Sequence, residues 1–255
     1  MTKISDFEIV DRCLFLAKEK ILVVGDLHLG YEEYLMERGW SFPKTQLEMT
    51  LEIFSGIFKK TGKLNKIILL GDVKHHFAGI LRGEFGDFYE LVSIFRENLL
   101  KDGKVVICKG NHDSIIEPVI RNYDFVELVD YLSFNGYLFM HGDKNNFKRN
   151  TLWIADGKVK TLVLGHFHPA ITLKERTGVK MEKYKCFLYG KLGEMKKDAI
   201  FVPSFFPLVE GGDISHGVIS ENFDLGKFEV YALPDSLRFN EKVYDFGKVK
   251  KLMKD

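Results

Sequence analysis

The sequence has no excess charge of either sign, no cysteine framework and no long apolar run, and each absence removes a class of function. Lysine plus arginine total 37 against 36 aspartate plus glutamate, a formal net charge of +1. Proteins that grip duplex nucleic acid without regard to sequence carry a marked basic excess, so only a local basic patch is available here. The three cysteines, Cys13, Cys108 and Cys186, are odd in number and widely spaced. They form neither a disulfide set nor a metal-binding pattern, and read as buried free thiols of a reducing compartment. No apolar stretch reaches the about 18 residues that a membrane-spanning helix requires. Residues 1–11 lack a signal-peptide pattern, so a cytoplasmic protein without a membrane partner is expected. No repeat, low-complexity stretch or linker divides the 255 residues. One domain over residues 1–255 is expected, long enough to bury a core without covalent staples.

What is present is an alternation of apolar runs and amphipathic segments. Ile21–Val24, Ile67–Leu70 and Val105–Cys108 are short apolar runs, each followed within two residues by Gly-Asp or Gly-Asn. They read as buried strands. Between them, Leu47, Leu51, Phe54 and Phe58 recur at helical spacing after Pro43, as do Phe88, Leu91, Val92, Phe95 and Leu99. This βαβαβ order argues for parallel strands with covering helices. The second half is richer in strands: 125–129, 131–134, 137–140, 162–164, 170–173, 185–189, 200–202 and 228–232, with turn signals at Asn135-Gly136 and Asp156-Gly157. The polar tail from Lys248 to Asp255 is expected to fray.

Five motifs stand at or near the ends of these runs: Gly25-Asp26-Leu27-His28, Gly71-Asp72, Gly110-Asn111-His112-Asp113, His141-Gly142-Asp143 and Gly165-His166-Phe167-His168. In open α/β sheets, ligands collect beyond the carboxyl ends of the strands. Asp26 and His28 are two residues apart, as are His166 and His168, and in extended backbone such pairs point the same way. Asp26, His28, Asp72, Asn111, His141, His166 and His168 are therefore candidate ligands for two adjacent divalent metals, with Asp72 as the shared carboxylate. Two ions about 3.5–4 Å apart can clamp a phosphoryl group and activate water. Mixed imidazole and carboxylate donors suit Mn, with Fe, Zn, Ni or Co as alternatives, better than an all-oxygen ion. His75 and His76 follow Asp72 closely and either line a cleft or sit exposed beside it. His216 lies in the glycine-rich segment 211–217.

At this point the motif series GDLHLG, GD, GNHD, HGD and GHFHP resembles the calcineurin-like metallophosphoesterases. Gly30-Tyr31-Glu32-Glu33, Gly39, Pro43, Gln46 and the segment 203–212 (PSFFPLVEGG) resemble a narrower group, the archaeal SbcD-related and DNA-ligase-associated phosphoesterases. The resemblance covers about residues 20–215. It implies an α/β fold of two sheets in a sandwich flanked by helices, in four layers (αββα). It also implies one metal on Asp26, His28, Asp72 and His168, and a second on Asp72, Asn111, His141 and His166. His112 would act as the acid on the leaving oxygen, with Asp113 orienting it by a hydrogen bond. Two departures narrow the function. The aspartate and arginine that follow Gly-Asp in the protein phosphatases are replaced by Val73-Lys74-His75-His76, and no long extension like that of the repair nuclease is present.

The expected activity is metal-dependent hydrolysis of a phosphodiester, in a small molecule or a nucleic acid. A nuclease acting on DNA or RNA ends is one alternative, with Lys144, Lys148 and Arg149, extended by Lys183, Lys185 and Lys191, as its basic contacts. A phosphomonoesterase is another, and a metal-binding scaffold without turnover a third. Tyr34, Trp40, Phe42, Phe205 and Phe206 either rim the cleft or belong to the core.

Overall fold

The structure is a computed structural model that describes residues 2–41, 43–76, 82–174, 181–193, 195–214, 219, 223–234 and 242–252. Its first sheet contains β1 (Lys3–Ile4), β2 (Phe7–Val10), β3 (Cys13–Leu16), β4 (Ile21–Val24), β5 (Leu64–Leu69), β6 (Leu99–Cys108) and β7 (Val126–Val129), side by side in chain order. The pairs from β1 to β4 are antiparallel and those from β4 to β7 are parallel. The parallel steps need crossovers. These are supplied by α1 (Tyr31–Glu37) with α2 (Gln46–Thr61), by α3 (Arg82–Asn98), and by the short α4 (Glu117–Ile120). The helix expected to open at Pro43 starts at Gln46, and Leu99 belongs to β6 rather than to the helix before it.

The second sheet contains β8 (Leu132–Phe134), β9 (Tyr137–Met140), β10 (Thr161–Leu164), β11 (Pro169–Lys174), β12 (Met181–Leu192), β13 (Lys197–Phe201), β14 (Gly212–Asp213), β15 (Glu229–Ala232) and β16 (Tyr244–Lys248). Here chain order is shuffled, β14-β11-β12-β13-β10-β9-β8, with β15 on β12 and β16 on β15. β9, β10 and β13 run parallel at its centre. The helices of this half are α5 (Lys144–Arg149), α6 (Thr151–Ala155) and α7 (Val249–Leu252). Of the tail expected to fray, Val249–Leu252 form α7, in which Val249 is buried and its N–H donates to Phe228 O at 2.9 Å.

Alternation along the central strands sorts their side chains into three layers of core. Leu22 and Val24 face α2 and α3, in a cluster with Phe54, Phe58, Leu91 and Phe95. Ile21 and Val23 face the other way, onto Phe139, Val163, Phe187 and Ile200 of the second sheet. Leu138, Met140, Leu162 and Leu164 then face Ile154 of α6 and Val249 of α7. The result is two mixed sheets packed face to face with helices outside. Both faces of each central strand are covered, which is why those strands read as unbroken apolar runs. The carboxyl ends of β4, β5 and β6 in one sheet, and of β9 and β10 in the other, carry the metal-ligand candidates.

Candidate metal centre

Asp26 and His28 follow β4, Asp72 follows β5, Asn111 follows β6, His141 follows β9, and His166 and His168 follow β10. The ligand atoms of Asp26, His28 and His168 lie within 4.8 Å of one another, and so do those of Asp72, His141 and His166. Ligands of one ion stand about 3–4 Å apart when each bond is about 2.1 Å, so both groups have the size of a coordination shell. Asn111 joins the second group, with its Oδ1 3.0 Å from His141 Nε2. His141 ties the groups together: its Nδ1 is 3.4 Å from Asp26 Oδ1, and its Nε2 is 3.4 Å from Asp72 Oδ2.

The pairs two residues apart converge, but not through extended backbone. His28, Asp72, His166 and His168 all have positive φ, 49°, 47°, 66° and 43°. Left-handed backbone at non-glycine residues costs about 1 kcal/mol or more each, and four such residues in one site means that the surrounding bonds enforce it. The carboxylate of Asp26 accepts the His166 N–H at 3.0–3.1 Å, and Asp72 Oδ1 accepts the His112 N–H at 2.9 Å. Glycine is needed where these loops crowd. A Cβ on Gly110 would sit 2.2 Å from Asp72 Oδ1, and one on Gly25 2.2 Å from the Pro203 carbonyl.

The donor set fits divalent metals on an observation independent of motifs. His28 Nδ1 and His168 Nε2 are buried without a hydrogen-bond partner, a costly state for a polar atom unless another ligand takes the lone pair. His168 Nε2 lies 3.3 Å from Asp26 Oδ1, but without hydrogen-bond geometry. His141 Nδ1 donates to Leu70 O at 2.8 Å, which turns Nε2 toward the cluster.

Burial and charge set the protonation of the site. Burial, reinforced by His168, pushes the His28 pKa down to about 3, and burial also lowers His166 and His112 and takes His75 to about 4. The His28 and His75 rings are neutral at pH 7 and offer lone pairs. His141 behaves oppositely: burial disfavours its charge, but Asp72 and Asp26 outweigh burial and raise its pKa to about 10. Burial likewise opposes ionisation of both carboxylates, yet His168 and His141 hold Asp26 low, and His141 holds Asp72 low. Burial and the neighbouring Asp72 raise Asp113 to about 6.

His112 stands at the edge of this centre, its ring 4.9 Å from that of His28 and its Nε2 3.7 Å from Asp72 Oδ2. Backbone groups bond both His112 and Asp113. His112 Nδ1 meets the His75 carbonyl, while Asp113 accepts the N–H groups of Val73 at 2.9 Å and Gly110 at 3.0 Å. Asp113 thus bonds the backbone of the loop that carries His112 and of the loop after β5. His75 is brought in: it packs against His28 and His112 on one side and Tyr31 and Tyr34 on the other. His76 touches the Tyr34 ring. Lys144 is exposed at the start of α5, and no contact among the described residues joins it to the centre. His216 and Phe42 lie outside the described residues.

The remaining aromatic and basic candidates divide. Phe205 is fully buried and stacked on Phe54 at 4.2 Å, a core residue. Phe206 is buried with its ring against those of His28 and Tyr31, beside the first cluster. Trp40 is 62% exposed, and Arg38 covers the Tyr34 ring at 4.3 Å. The ammonium groups of Lys183 and Lys185 bond the carbonyls of Gly211 and Val209, which ties them to the segment 203–212. Arg149 pairs with Asp130.

Several residues that hold the site carried no sequence signal as site residues. Gln46 Nε2 donates to His28 O at 2.7 Å, and its Oε1 accepts the Tyr31 N–H at 3.1 Å. Glu32 accepts the N–H groups of Thr45 and Gln46 at the start of α2. Ser204 donates to Asp26 O at 3.1 Å. Asp143 of the His-Gly-Asp motif caps α5, accepting the N–H groups of Asn145 and Asn146. Each acts on backbone, so only the fold reveals it.

The pattern of the calcineurin-like phosphoesterases matches residues 19–194, and the chain belongs to that family. Membership and the His/Asp clusters make it a metal-dependent phosphoesterase, a hydrolase that works with divalent metals. Among solved structures it is similar to the nuclease MPE of Pseudomonas putida, with 16% identity over 94% of this chain and 100% of that one and a TM-score of 0.61. It also matches a protein of unknown function from Aquifex aeolicus, with 18% identity, 58% and 78% of the two chains covered and a TM-score of 0.38. A third match is a predicted phosphoesterase from Streptococcus pneumoniae, with 16% identity, coverage of 89% and 97% and a TM-score of 0.36. No curated protein matches the sequence significantly. No helix among the described residues is long and apolar enough to cross a membrane.

Proposed function

We propose that the protein hydrolyses phosphodiester bonds with a pair of divalent cations, Mn first and Fe, Zn, Ni or Co as alternatives, and that it does so in the cytoplasm as a single catalytic domain. The observation that carries this is the pair of ligand clusters joined through His141 with His112 beside them. Asp26, His28 and His168 would hold one cation, Asn111, His141 and His166 the other, and Asp72 both. When bound, the cations would activate water and neutralise the non-bridging oxygens of the phosphoryl group. The His75 carbonyl takes the Nδ1–H of His112 and leaves Nε2 on the side of Asp72, so that Nε2, once it has taken up a second proton, would be placed to give it to a leaving oxygen. His75 and His76, with Tyr31, Tyr34 and Phe206 around them, would receive the leaving group, and Lys144 is the more remote candidate for contact with a longer substrate. The three buried thiols support a reducing compartment. Gly30, Glu32 and Gln46, which shape the His28 loop, support an affinity with the SbcD-related group.

A nuclease is the second reading. The likeness to a nuclease in fold and the exposed Trp40 near Tyr34 and Arg38 favour it, since aromatic faces stack unpaired bases. Burial lowers the Lys185 pKa to about 7, which weakens one of the basic contacts this reading relies on.

The test is hydrolysis of an aryl phosphodiester and of the corresponding monoester by metal-stripped protein, before and after Mn²⁺ is restored. The proposal expects metal-dependent turnover that favours the diester. Monoester preference would move the protein to the phosphatases. Metal binding without turnover of either ester would contradict the proposal and favour a scaffold.

A further inference from the structure

We propose that Glu84 is a positioning residue for His112, acting through the backbone of His75 and His76. The inference rests on the reading of His112 as the acid. Glu84 lies on α3, outside the ligand motifs, and is 2% exposed. A buried carboxylate is expensive unless its oxygens are satisfied. Its Oε1 accepts the His75 N–H at 3.2 Å and the His76 N–H at 2.9 Å. Lys74, also buried, donates to the His76 carbonyl; burial lowers its pKa and Glu84 partly offsets that. The two side chains thus hold a two-residue stretch of backbone by its N–H groups and a carbonyl.

What that stretch delivers is the His75 carbonyl, which meets His112 Nδ1. A carbonyl has no proton to give, so this bond keeps an N–H on Nδ1 in both protonation states and makes Nε2, 3.7 Å from Asp72 Oδ2, the atom that takes up the acid proton and gives it to the leaving oxygen. The sequence also clears space for the carboxylate. A Cβ on Gly30 would sit 2.3 Å from Glu84 Cγ, and Gly30 turns the chain into α1 at φ 81°. Gly30 therefore serves two needs, the turn after His28 and room for Glu84.

The test compares Glu84→Ala, Glu84→Gln and His112→Ala, each loaded with Mn²⁺, on two phosphodiesters that differ in leaving group, one an aryl oxide and one an alkoxide. A poor leaving group depends on the acid and a good one much less. Glu84→Ala is expected to lose about tenfold or more in kcat on the alkyl ester and less than about threefold on the aryl ester, with KM little changed. Glu84→Gln, whose amide oxygen still accepts, should restore most of the loss. In a His112→Ala background, Glu84→Ala should cost less than about twofold. A loss equal on both esters, or undiminished without His112, would overturn the proposal. Nitrogen NMR of the imidazoles in metal-free protein gives a second readout. His112 should be the Nδ1–H form in wild type and a mixture in Glu84→Ala, and an unchanged form would overturn the proposal. Should Glu84→Ala fail to fold, Glu84→Asp, one methylene shorter, carries the same comparison. If His112→Ala keeps full turnover of the alkyl ester, the acid assignment falls, while the NMR measurement still decides whether Glu84 holds the ring.

Discussion

In the cluster of Asp26, His28 and His168, burial strips the His28 ring of its proton and leaves Nδ1 without a partner. In the cluster of Asp72, Asn111, His141 and His166, the ring of His141 sits against two carboxylates and keeps its proton up to about pH 10. The same residue types thus give one set of donors with a lone pair to share and one set whose central nitrogen is already occupied by a proton. The difference comes from position. His141 is buried between the two strand-end aspartates, whereas His28 sits at the cleft side, among the rings of His75, His112 and His168. A cation entering the first cluster completes an unsatisfied set. A cation entering the second must displace a proton.

The most damaging break of this comparison is Asp72→Ala, because Asp72 faces both His141 and His112 and its charge acts on His28. Turnover should fall by about a thousandfold or more, with fewer than two ions retained per chain by elemental analysis. Retention of both ions with full turnover would remove Asp72 from the centre.

Two glycine substitutions should separate the clusters. At Gly211, φ is +125° and a Cβ would lie 2.1 Å from His168 O. At Gly71, φ is +99° and a Cβ would lie 2.6 Å from Cys108 O and 2.7 Å from His141 Nδ1. Each alanine variant should lose about 2–4 kcal/mol of stability in denaturant unfolding. Gly211→Ala should shed the ion of the first cluster and Gly71→Ala that of the second, read as one ion remaining per chain. Equal loss of both ions from either variant would show that the clusters form as one unit.

How much of this was legible in the sequence follows from where each signal lies. The central strands were legible because helices cover them on one face and the other sheet on the other, so that residues such as Ile21 to Val24 read as one apolar run. The strands β1 to β3 were missed. They are short, and they turn at Ser5, Asp11 and Lys20, residues with φ of 54°, 54° and 56° that lack the Asn-Gly or Asp-Gly signature of such turns. The helix α1 was missed because Gly30 begins it without a side-chain cap and YEEYLME carries no apolar stripe. The candidate ligands were legible as types and spacing. Their convergence was inferred from extended alternation, and the left-handed backbone at His28, His166 and His168 achieves it instead. Glu32, Gln46 and Ser204 were legible only as part of the resemblance and Glu84 not at all, because their bonds run to main-chain atoms of residues remote in sequence, and no spacing of side chains states such a contact.

The most direct test of two unequal sites is calorimetric titration of metal-free protein with Mn²⁺ between pH 7 and 9, in buffers of different ionisation enthalpy, so that proton release is counted with each equivalent. His141 is protonated throughout this range in the free protein, since its pKa is raised to about 10, and the bound ring must be neutral. The account predicts two equivalents. One should release about one proton and gain affinity by up to about tenfold per pH unit, and the other should release almost none. A single equivalent, or two with the same proton release and the same pH dependence, would contradict it.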